Sequence, residues 1–114
     1  MYALQAVATV SLPAKVYFET GSAGIGADGS KIIGAAADMI KKDGLKVAVT
    51  GYTDKTGDLA TNEALAKSRS SAVRDALTAA GVAVASIEMK PPMFVEVGAA
   101  GGDAEARRVE INKQ

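Results

Sequence analysis

Two long segments with helical periodicity, separated by a strand-like segment, most constrain the fold of this 114-residue chain. The first covers about residues 28–42 and the second about residues 59–80, and in the first segment isoleucine and alanine recur every four positions. Gly44 and Gly81 stand where helices commonly stop. Between the helices, residues 45–52 alternate in the period of a strand. The chain therefore predicts consecutive helices on either side of one strand.

Strand-like segments also flank these helices. Residues 15–19 and 107–111 are predicted strands, and residues 87–90 form another that ends at two prolines. The glycine-rich residues 98–103 are predicted to be a loop. The order predicts an α+β two-layer sandwich, with a βαβαβ-type mixed sheet and the helices packed on one face.

Composition narrows the chemistry that this chain can perform. It contains no histidine and no cysteine, which excludes histidine-dependent triads, cysteine nucleophiles and the usual zinc sites. Lysine plus arginine and aspartate plus glutamate both number 13, so nucleic acid is not an expected partner. Its longest apolar run is too short for direct membrane insertion. We expect residues 1–14 to be an N-terminal extension or linker and residues 15–114 to be one domain.

The loop before the first helix matches a nucleotide-binding pattern. Residues 24–29 read GxGxxG between a strand and a helix, and Asp54 follows about where a ribose-binding acid would lie. A nucleotide-binding enzyme is therefore one alternative. The other interpretation of this loop is a flexible connection between strand and helix.

A second motif follows the central strand. Residues 54–58 read DKTGD, which resembles the DKTGT motif whose aspartate is phosphorylated in cation-pumping ATPases. Asp58 replaces the final threonine of that motif. An aspartyl-phosphate also needs a bound cation and an in-line donor, so both points argue against phosphorylation of Asp54.

One arginine of the second helix lies among apolar residues. Arg69 projects into the middle of the apolar stripe at about 100° per residue, so its guanidinium needs an anion from the protein or from a ligand, unless it reaches solvent. The predicted stripe contains Leu65, Ala72, Val73, Ala76 and Ala80. The predicted opposite side contains Glu63, Lys67, Ser70, Arg74 and Thr78.

Other polar residues are expected near the same end of this helix. Asn62 falls on the stripe of Arg69, and Asp54 precedes the helix. In the last strand, period two places Arg107 on the side of Val109. These residues predict a polar cluster, against the alternatives of a closed Asp54–Arg69 salt bridge and a solvated strand end at Arg107.

Three segments together carry a family resemblance. GYTDKTG (51–57), NEALAKSRSSAVRDAL (62–77) and ARRVEI (106–111) resemble the OmpA C-terminal-like domain. Outer-membrane porin-like proteins, peptidoglycan-associated lipoproteins and MotB-type stator proteins share that domain. The resemblance covers about residues 15–112.

The resemblance implies non-covalent binding of peptidoglycan through the diaminopimelate of its stem peptide. The residue matching Asp54 takes the ligand's ammonium group, and the one matching Arg69 takes its carboxylate. The matching Thr53 and Asn62 line the site, and the arginine matching Arg107 lies nearby. An aspartate and an arginine complement a zwitterionic ligand, and arginine can bind a carboxylate with two parallel hydrogen bonds.

Several positions depart from the family pattern. Tyr52 stands where histidine is common, Ser70 where alanine is common, and Ala66 where serine is common. Ala106 replaces the usual asparagine, and Gly21 stands where an acid is frequent. The usual G-Y-G-E segment is absent, and residues 90–102 occupy its region. These departures concern the rim of the predicted site.

We therefore expect a non-enzymatic cell-wall anchor that uses no cofactor, no metal and no catalytic residue. The expected location is the periplasm of a Gram-negative bacterium, as part of an outer-membrane or cell-envelope protein from which a barrel, lipid anchor or membrane helix has been separated. The alternative from another class is a structural or interaction domain with a degenerate site.

Overall fold

The structure, a computed structural model, describes residues 11–54, 58–95 and 102–114, with side chains from residue 104 onward in the last range. Secondary structure fills most of these ranges. A single 3-10 turn, Val84–Ser86, precedes the third strand. The strands and helices are β1 (Ala14–Tyr17), α1 (Ala27–Asp43), β2 (Val47–Thr53), α2 (Leu59–Ala79), β3 (Ile87–Met89), β4 (Met93–Phe94), α3 (Gly102–Glu105) and β5 (Arg108–Lys113).

The strands form a mixed sheet in the order β1-β5-β2-β3. β5 lies between β1 and β2 and is antiparallel to both, whereas β3 is parallel to β2. β4 continues along β2 beyond β3, where Met93 and Phe94 pair in parallel with Tyr52 and Thr53. The last strand of the chain therefore lies near the centre of the sheet, and β1 lies at an edge.

Both long helices pack against the sheet because each has a buried apolar stripe. Val47 and Val49 of β2 and Val109 and Ile111 of β5 are fully buried, and period two places each pair on one face of its strand. Against them pack Ile33, Ala36, Ala37 and Ile40 of α1 and Val73 and Leu77 of α2. These contacts confirm the predicted two-layer α+β sandwich.

Local signals set the ends of the helices close to their predicted bounds. Gly44 adopts the left-handed conformation at φ 62°, and its N–H donates to the carbonyl of Ile40. Lys41 and Lys42 lie in the last turn of α1, where cations favour the helix dipole. α2 ends at Ala79, and Gly81 follows at φ 102°. Among the described helices, none combines the length and the apolar character needed to cross a bilayer.

Some predicted loops and strands have different bounds in the structure. The predicted 98–103 loop is wrong at residues 102–103, which belong to α3, and residues 98–101 lie outside the described ranges. β4 was not predicted, because two residues after a proline pair have no readable alternation. β1 begins at Ala14. The assignment of residues 1–14 to an extension stays a prediction, since residues 1–10 also lie outside those ranges.

Candidate functional site

The predicted site residues begin at the carboxyl end of β2. Thr53 is its last residue and is 6% exposed, and its carbonyl accepts a hydrogen bond from the N–H of Val95 at 2.8 Å. Because side chains alternate along a strand, Thr53 shares the face of Gly51, which lies against α2. The half-buried Asp54 follows directly. β2 thus places Thr53 and Asp54 near the start of α2.

The first turn of α2 is tied to this strand end. Asp58 caps the helix, accepting hydrogen bonds from the N–H of Ala60 at 3.1 Å and the hydroxyl of Thr61 at 2.7 Å. The hydrogen bond from Thr61 holds the pKa of Asp58 below its usual value. One turn into the helix, the Asn62 side chain donates through Nδ2 to the backbone carbonyl of Asp54 at 3.2 Å. The structure therefore brings Asn62 and Asp54 together, as predicted.

β2 and α2 come exceptionally close at Gly51. A Cβ on Gly51 would lie 2.5 Å from the carbonyl oxygen of Ala66 and 2.6 Å from Oγ of Ser70. Ser70 is only 3% exposed, so its predicted place on the solvent side of α2 is wrong. Leu65, predicted within the buried stripe, is only half-buried. Side-chain size at the strand contact, rather than apolarity alone, selects the buried face here.

Arg69 is buried, as its place in the apolar stripe predicts. Its side chain is directed to the segment after β1: Nε donates to the carbonyl of Ser22 at 2.8 Å, and Nη2 donates to the carbonyl of Glu19 at 3.1 Å. The guanidinium carbon also lies 5.5 Å from the centroid of the Phe18 ring. Arg69 is 2% exposed, so it does not reach bulk solvent. Two backbone carbonyls take the place of a protein carboxylate.

A second guanidinium binds the same segment. Nε of Arg107 donates to the carbonyl of Phe18 at 2.9 Å, and the Phe18 N–H donates in return to the Arg107 carbonyl at 2.8 Å. Burial lowers the pKa of Arg69, and the positive charge of Arg107 lowers it further. Arg107 lies in the turn before β5, so its predicted strand position is wrong by one residue. It is half-buried beside the chain rather than a solvated strand end.

The ion pairs of the described ranges lie away from these two arginines. None of the ion pairs within residues 11–54, 58–95 and 102–114 includes Arg69 or Arg107. Their partners are backbone carbonyls, which every residue type carries, so no sequence signal could have identified Phe18, Glu19 and Ser22 as their acceptors. Two adjacent cations held by neutral dipoles form a region suited to an anionic group.

By contrast, sequence reasoning missed an ionic cluster on the other face of the sheet. Arg108 pairs with Glu110 at 2.8 Å and with Glu105 at 3.0 Å, and its guanidinium carbon lies 3.8 Å from the centroid of the Tyr52 ring. The Tyr17 hydroxyl donates to Glu105 at 2.9 Å. Tyr52, which stands where the family commonly has histidine, is therefore part of this structural cluster.

The glycine loop does not have the surroundings of a dinucleotide site. That fingerprint requires a helix joining parallel strands, whereas β1 is an edge strand antiparallel to β5. Residues 18–26 separate β1 from α1. Gly29 is buried, and a Cβ there would lie 3.1 Å from Cγ1 of Val16, so this glycine serves the packing of α1 on β1.

The DKTGD motif lies partly outside the described residues, because these omit 55–57. Among the residues that are described, no three acidic side chains gather in a group that could hold a cation. Asp58, at the end of this motif, caps α2.

Comparison with known proteins assigns the chain to a family. The sequence model of the OmpA family matches residues 17–107, which include both long helices and the candidate site. The chain belongs to the OmpA family. The match confirms the resemblance drawn from the residues around Asp54, Arg69 and Arg107.

Individual OmpA-family proteins agree with this assignment. The peptidoglycan-associated lipoprotein of Pseudomonas aeruginosa is 32% identical over 101 residues, covering 85% of this chain and 60% of that protein. The chain thus spans about 60% of the length of this curated relative. The crystal structure of the peptidoglycan-associated lipoprotein from Burkholderia pseudomallei has a TM-score of 0.78 at 27% identity, covering 89% of this chain and 90% of that one.

The same fold occurs in a more distant protein. The C-terminal domain of Helicobacter pylori MotB has a TM-score of 0.75 at 23% identity, covering 88% of this chain and 83% of that one. At this identity the likeness concerns the fold alone.

Proposed function

We propose that this domain binds peptidoglycan non-covalently by gripping the diaminopimelate of the stem peptide. The observation that carries the proposal is the buried Arg69, whose guanidinium is oriented by two backbone carbonyls and forms none of the ion pairs of the described residues. The printed names of two relatives, both peptidoglycan-associated lipoproteins, support the choice of polymer.

Arg69 binds the carboxylate of the ligand's amino-acid end. A buried guanidinium attracts a carboxylate more strongly than a neutral carbonyl, because opposite charges interact strongly where water is excluded. Arg107 adds a second positive charge beside it. The carboxylate thus lies where the local charge of the protein is positive.

Asp54 binds the ammonium group of the same ligand. The backbone carbonyl of Asp54 accepts a hydrogen bond from the Asn62 side chain. Asn62 lies seven residues before Arg69, a distance of about 10 Å along the axis of α2. Side chains on a helix lean toward its N-terminus, so the long Arg69 side chain shortens this separation. Thr53, on the α2 side of the strand end, lines the site between them. An amino-acid zwitterion holds its ammonium and carboxylate groups close together, so the proposal requires the Asp54 and Arg69 side chains to face one ligand.

In this proposal the domain anchors a larger envelope protein to the cell wall, in the periplasm of a Gram-negative bacterium. Its polar residues hold a ligand without transforming it, so no catalytic residue is assigned. The relatives that bear on this location are lipoproteins of Pseudomonas aeruginosa and Burkholderia pseudomallei.

The test is a titration of the protein with diaminopimelate, followed by amide chemical shifts in NMR. We expect the shifts to centre on Thr53, Asp54, Asn62 and Arg69. Asp54→Asn removes the charge that holds the ammonium group, and Arg69→Lys keeps a charge but loses the forked geometry. Each variant should lower affinity by about 10- to 100-fold, as expected for one charged hydrogen-bonded contact.

Arg74→Lys is the matched control, because Arg74 lies on the same helix and pairs with the exposed Asp75. It should bind diaminopimelate as the unaltered protein does. Equal affinity in all three variants, or shifts confined to another surface, contradicts the proposed site. A protein that binds neither diaminopimelate nor purified cell-wall sacculi is the degenerate structural domain.

A further inference from the structure

The buried guanidinium of Arg69 has more hydrogen-bond donors than the fold around it uses. A guanidinium carries five N–H groups and no acceptor. Nε of Arg69 donates to the carbonyl of Ser22 at 2.8 Å, and Nη2 donates one N–H to the carbonyl of Glu19 at 3.1 Å. Among the residues that the structure describes, none accepts from the second N–H of Nη2 or from either N–H of Nη1. Three donors of this buried side chain therefore remain for a ligand.

The two carbonyls determine which edge of the planar guanidinium remains. Nε and Nη2 form one edge of this group, and Nη1 and Nη2 form the edge at its end. The carbonyls of Ser22 and Glu19 occupy the first edge, with one hydrogen bond to each of its nitrogens. Each nitrogen of the end edge keeps at least one N–H, so this edge matches an acceptor with two oxygens.

The charge that acts on this guanidinium is positive when the neighbouring groups are counted. Burial lowers the pKa of Arg69, and the positive charge of Arg107 lowers it further. Neither arginine belongs to an ion pair within the described ranges. Glu19 contributes its backbone carbonyl to Arg69 rather than its carboxylate. An acceptor at the end edge therefore gains from carrying a negative charge.

A carboxylate fits the end edge of Arg69, whereas a carboxamide does not. The two oxygens of a carboxylate accept from two parallel N–H groups. A carboxamide replaces one oxygen with an NH₂ group, which only donates, so a donor faces a donor and one buried N–H stays unpaired. The carboxamide also lacks the negative charge. A single amidation thus removes both features that the end edge recognises.

We propose that Arg69 binds its ligand end-on, through Nη1 and Nη2, and that the site accepts the free carboxylate of diaminopimelate and rejects its amide. The inference rests on the proposed function, to which it adds a condition on the chemical state of the polymer. A reaction that amidates this carboxylate releases the domain from the cell wall, although the ammonium group that Asp54 binds is unchanged.

The test titrates the protein with diaminopimelate, with its diamide and with its dimethyl ester. The diamide and the ester both lack the negative charge, but only the diamide brings donors against the N–H groups of Arg69. Backbone amide shifts give the affinities, and the side-chain nitrogen signals of Arg69 report separately on Nε and on the two Nη atoms. This comparison uses the unaltered protein, so it does not depend on the folding of a variant.

Two variants locate the discrimination. Arg69→Lys keeps a positive charge but has no paired edge. Arg74→Lys is the matched control, because Arg74 lies on the same helix and pairs with Asp75. The preference for diaminopimelate over the diamide should fall about tenfold in Arg69→Lys and stay unchanged in Arg74→Lys.

We expect the diamide to bind the unaltered protein about 100-fold more weakly than diaminopimelate, with the ester in between. The Nη signals of Arg69 should shift on binding, whereas the Nε signal should shift little because Ser22 holds that N–H throughout. Equal affinity for acid and diamide, an Nε shift as large as the Nη shifts, or an unchanged preference in Arg69→Lys overturns the inference. Failure of the proposed function is distinct, since the unaltered protein then shows no shifts with diaminopimelate.

Discussion

The two buried arginines of this domain have opposite surroundings. Arg108, 9% exposed, lies between the carboxylates of Glu105 and Glu110 and against the ring of Tyr52. Arg69, 2% exposed, donates to the carbonyls of Glu19 and Ser22 and has the positive charge of Arg107 nearby. One charge is neutralised by the protein, and the other is only solvated by it.

This difference separates a structural arginine from the arginine of the proposed binding site. Removing Arg108 leaves two carboxylates without their cation, so its principal effect is on folding. Removing Arg69 leaves two neutral carbonyls without a donor, and it also removes the cation of the proposed site. Substituting Arg108 should therefore lower stability more than ligand affinity, whereas substituting Arg69 should lower ligand affinity more than stability.

The largest effect on stability is expected for Arg108→Ala. The variant should unfold about 3 kcal/mol more easily, because a largely buried charge pair loses one member. Urea unfolding measures the change, and Glu110→Gln made together with Arg108→Ala should recover part of it. Affinity for diaminopimelate should change little in the folded fraction. A strong loss of affinity in stable protein contradicts the structural assignment of Arg108.

Gly51→Ala tests the close contact between β2 and α2, the helix that carries Arg69. The added methyl group would lie 2.5 Å from the carbonyl oxygen of Ala66, so α2 must move away from β2. We expect a loss of about 2 to 3 kcal/mol in urea unfolding, as for an overpacked core. Affinity for diaminopimelate should fall as well, because Arg69 moves with the helix. Gly34→Ala is the control, since a Cβ there meets no atom within 4 Å.

Arg69→Gln should lower ligand affinity more than folding stability, the reverse of what is expected for Arg108→Ala. Two hydrogen bonds to neutral carbonyls are weakened, which costs about 1 to 2 kcal/mol of folding stability. Binding of diaminopimelate should fall below detection in the same NMR titration, because the cation is gone. If this variant were less stable than Arg108→Ala and still bound the ligand, the proposed roles of the two arginines would be exchanged.

The smallest effect concerns the pH dependence of the Arg108 cluster. Burial, with the nearby charge of Glu110, raises the pKa of Tyr52 above its usual 10.0. A raised pKa means that the unfolded chain loses this proton first, so the stabilisation is complete below pH 10 and is lost as the pH rises through the folded pKa. Tyr52→Phe should therefore lose less stability than the unaltered protein in urea unfolding between about pH 9 and pH 11. If the stability of both proteins falls equally with pH over this range, the raised pKa of Tyr52 is contradicted.

Most of the fold was predictable because its signals are local. Helical periodicity, terminal glycines and strand alternation gave the long elements within one or two residues at most ends, and the apolar stripe correctly placed Arg69 inside. β4 was not predictable, because its two residues join the sheet only by pairing with Tyr52 and Thr53, a contact distant in sequence.

The burial of Ser70 shows a different limit. A helical projection ranks residues by apolarity, but α2 meets β2 where Gly51 leaves room only for small side chains. Serine satisfies that condition as well as alanine does. The acceptors of Arg69 were unpredictable for another reason, since a backbone carbonyl has no sequence signature.

If Arg69 binds a ligand as proposed, the carbonyls of Glu19 and Ser22 also affect how firmly that ligand is held. An arginine on a surface samples many rotamers, and a ligand that immobilises it loses about 0.5 to 1.5 kcal/mol of binding free energy. In this domain the Arg69 side chain is already confined when the chain folds. A carboxylate that enters the site meets a cation of fixed direction, so affinity does not depend on ordering the receptor during the encounter.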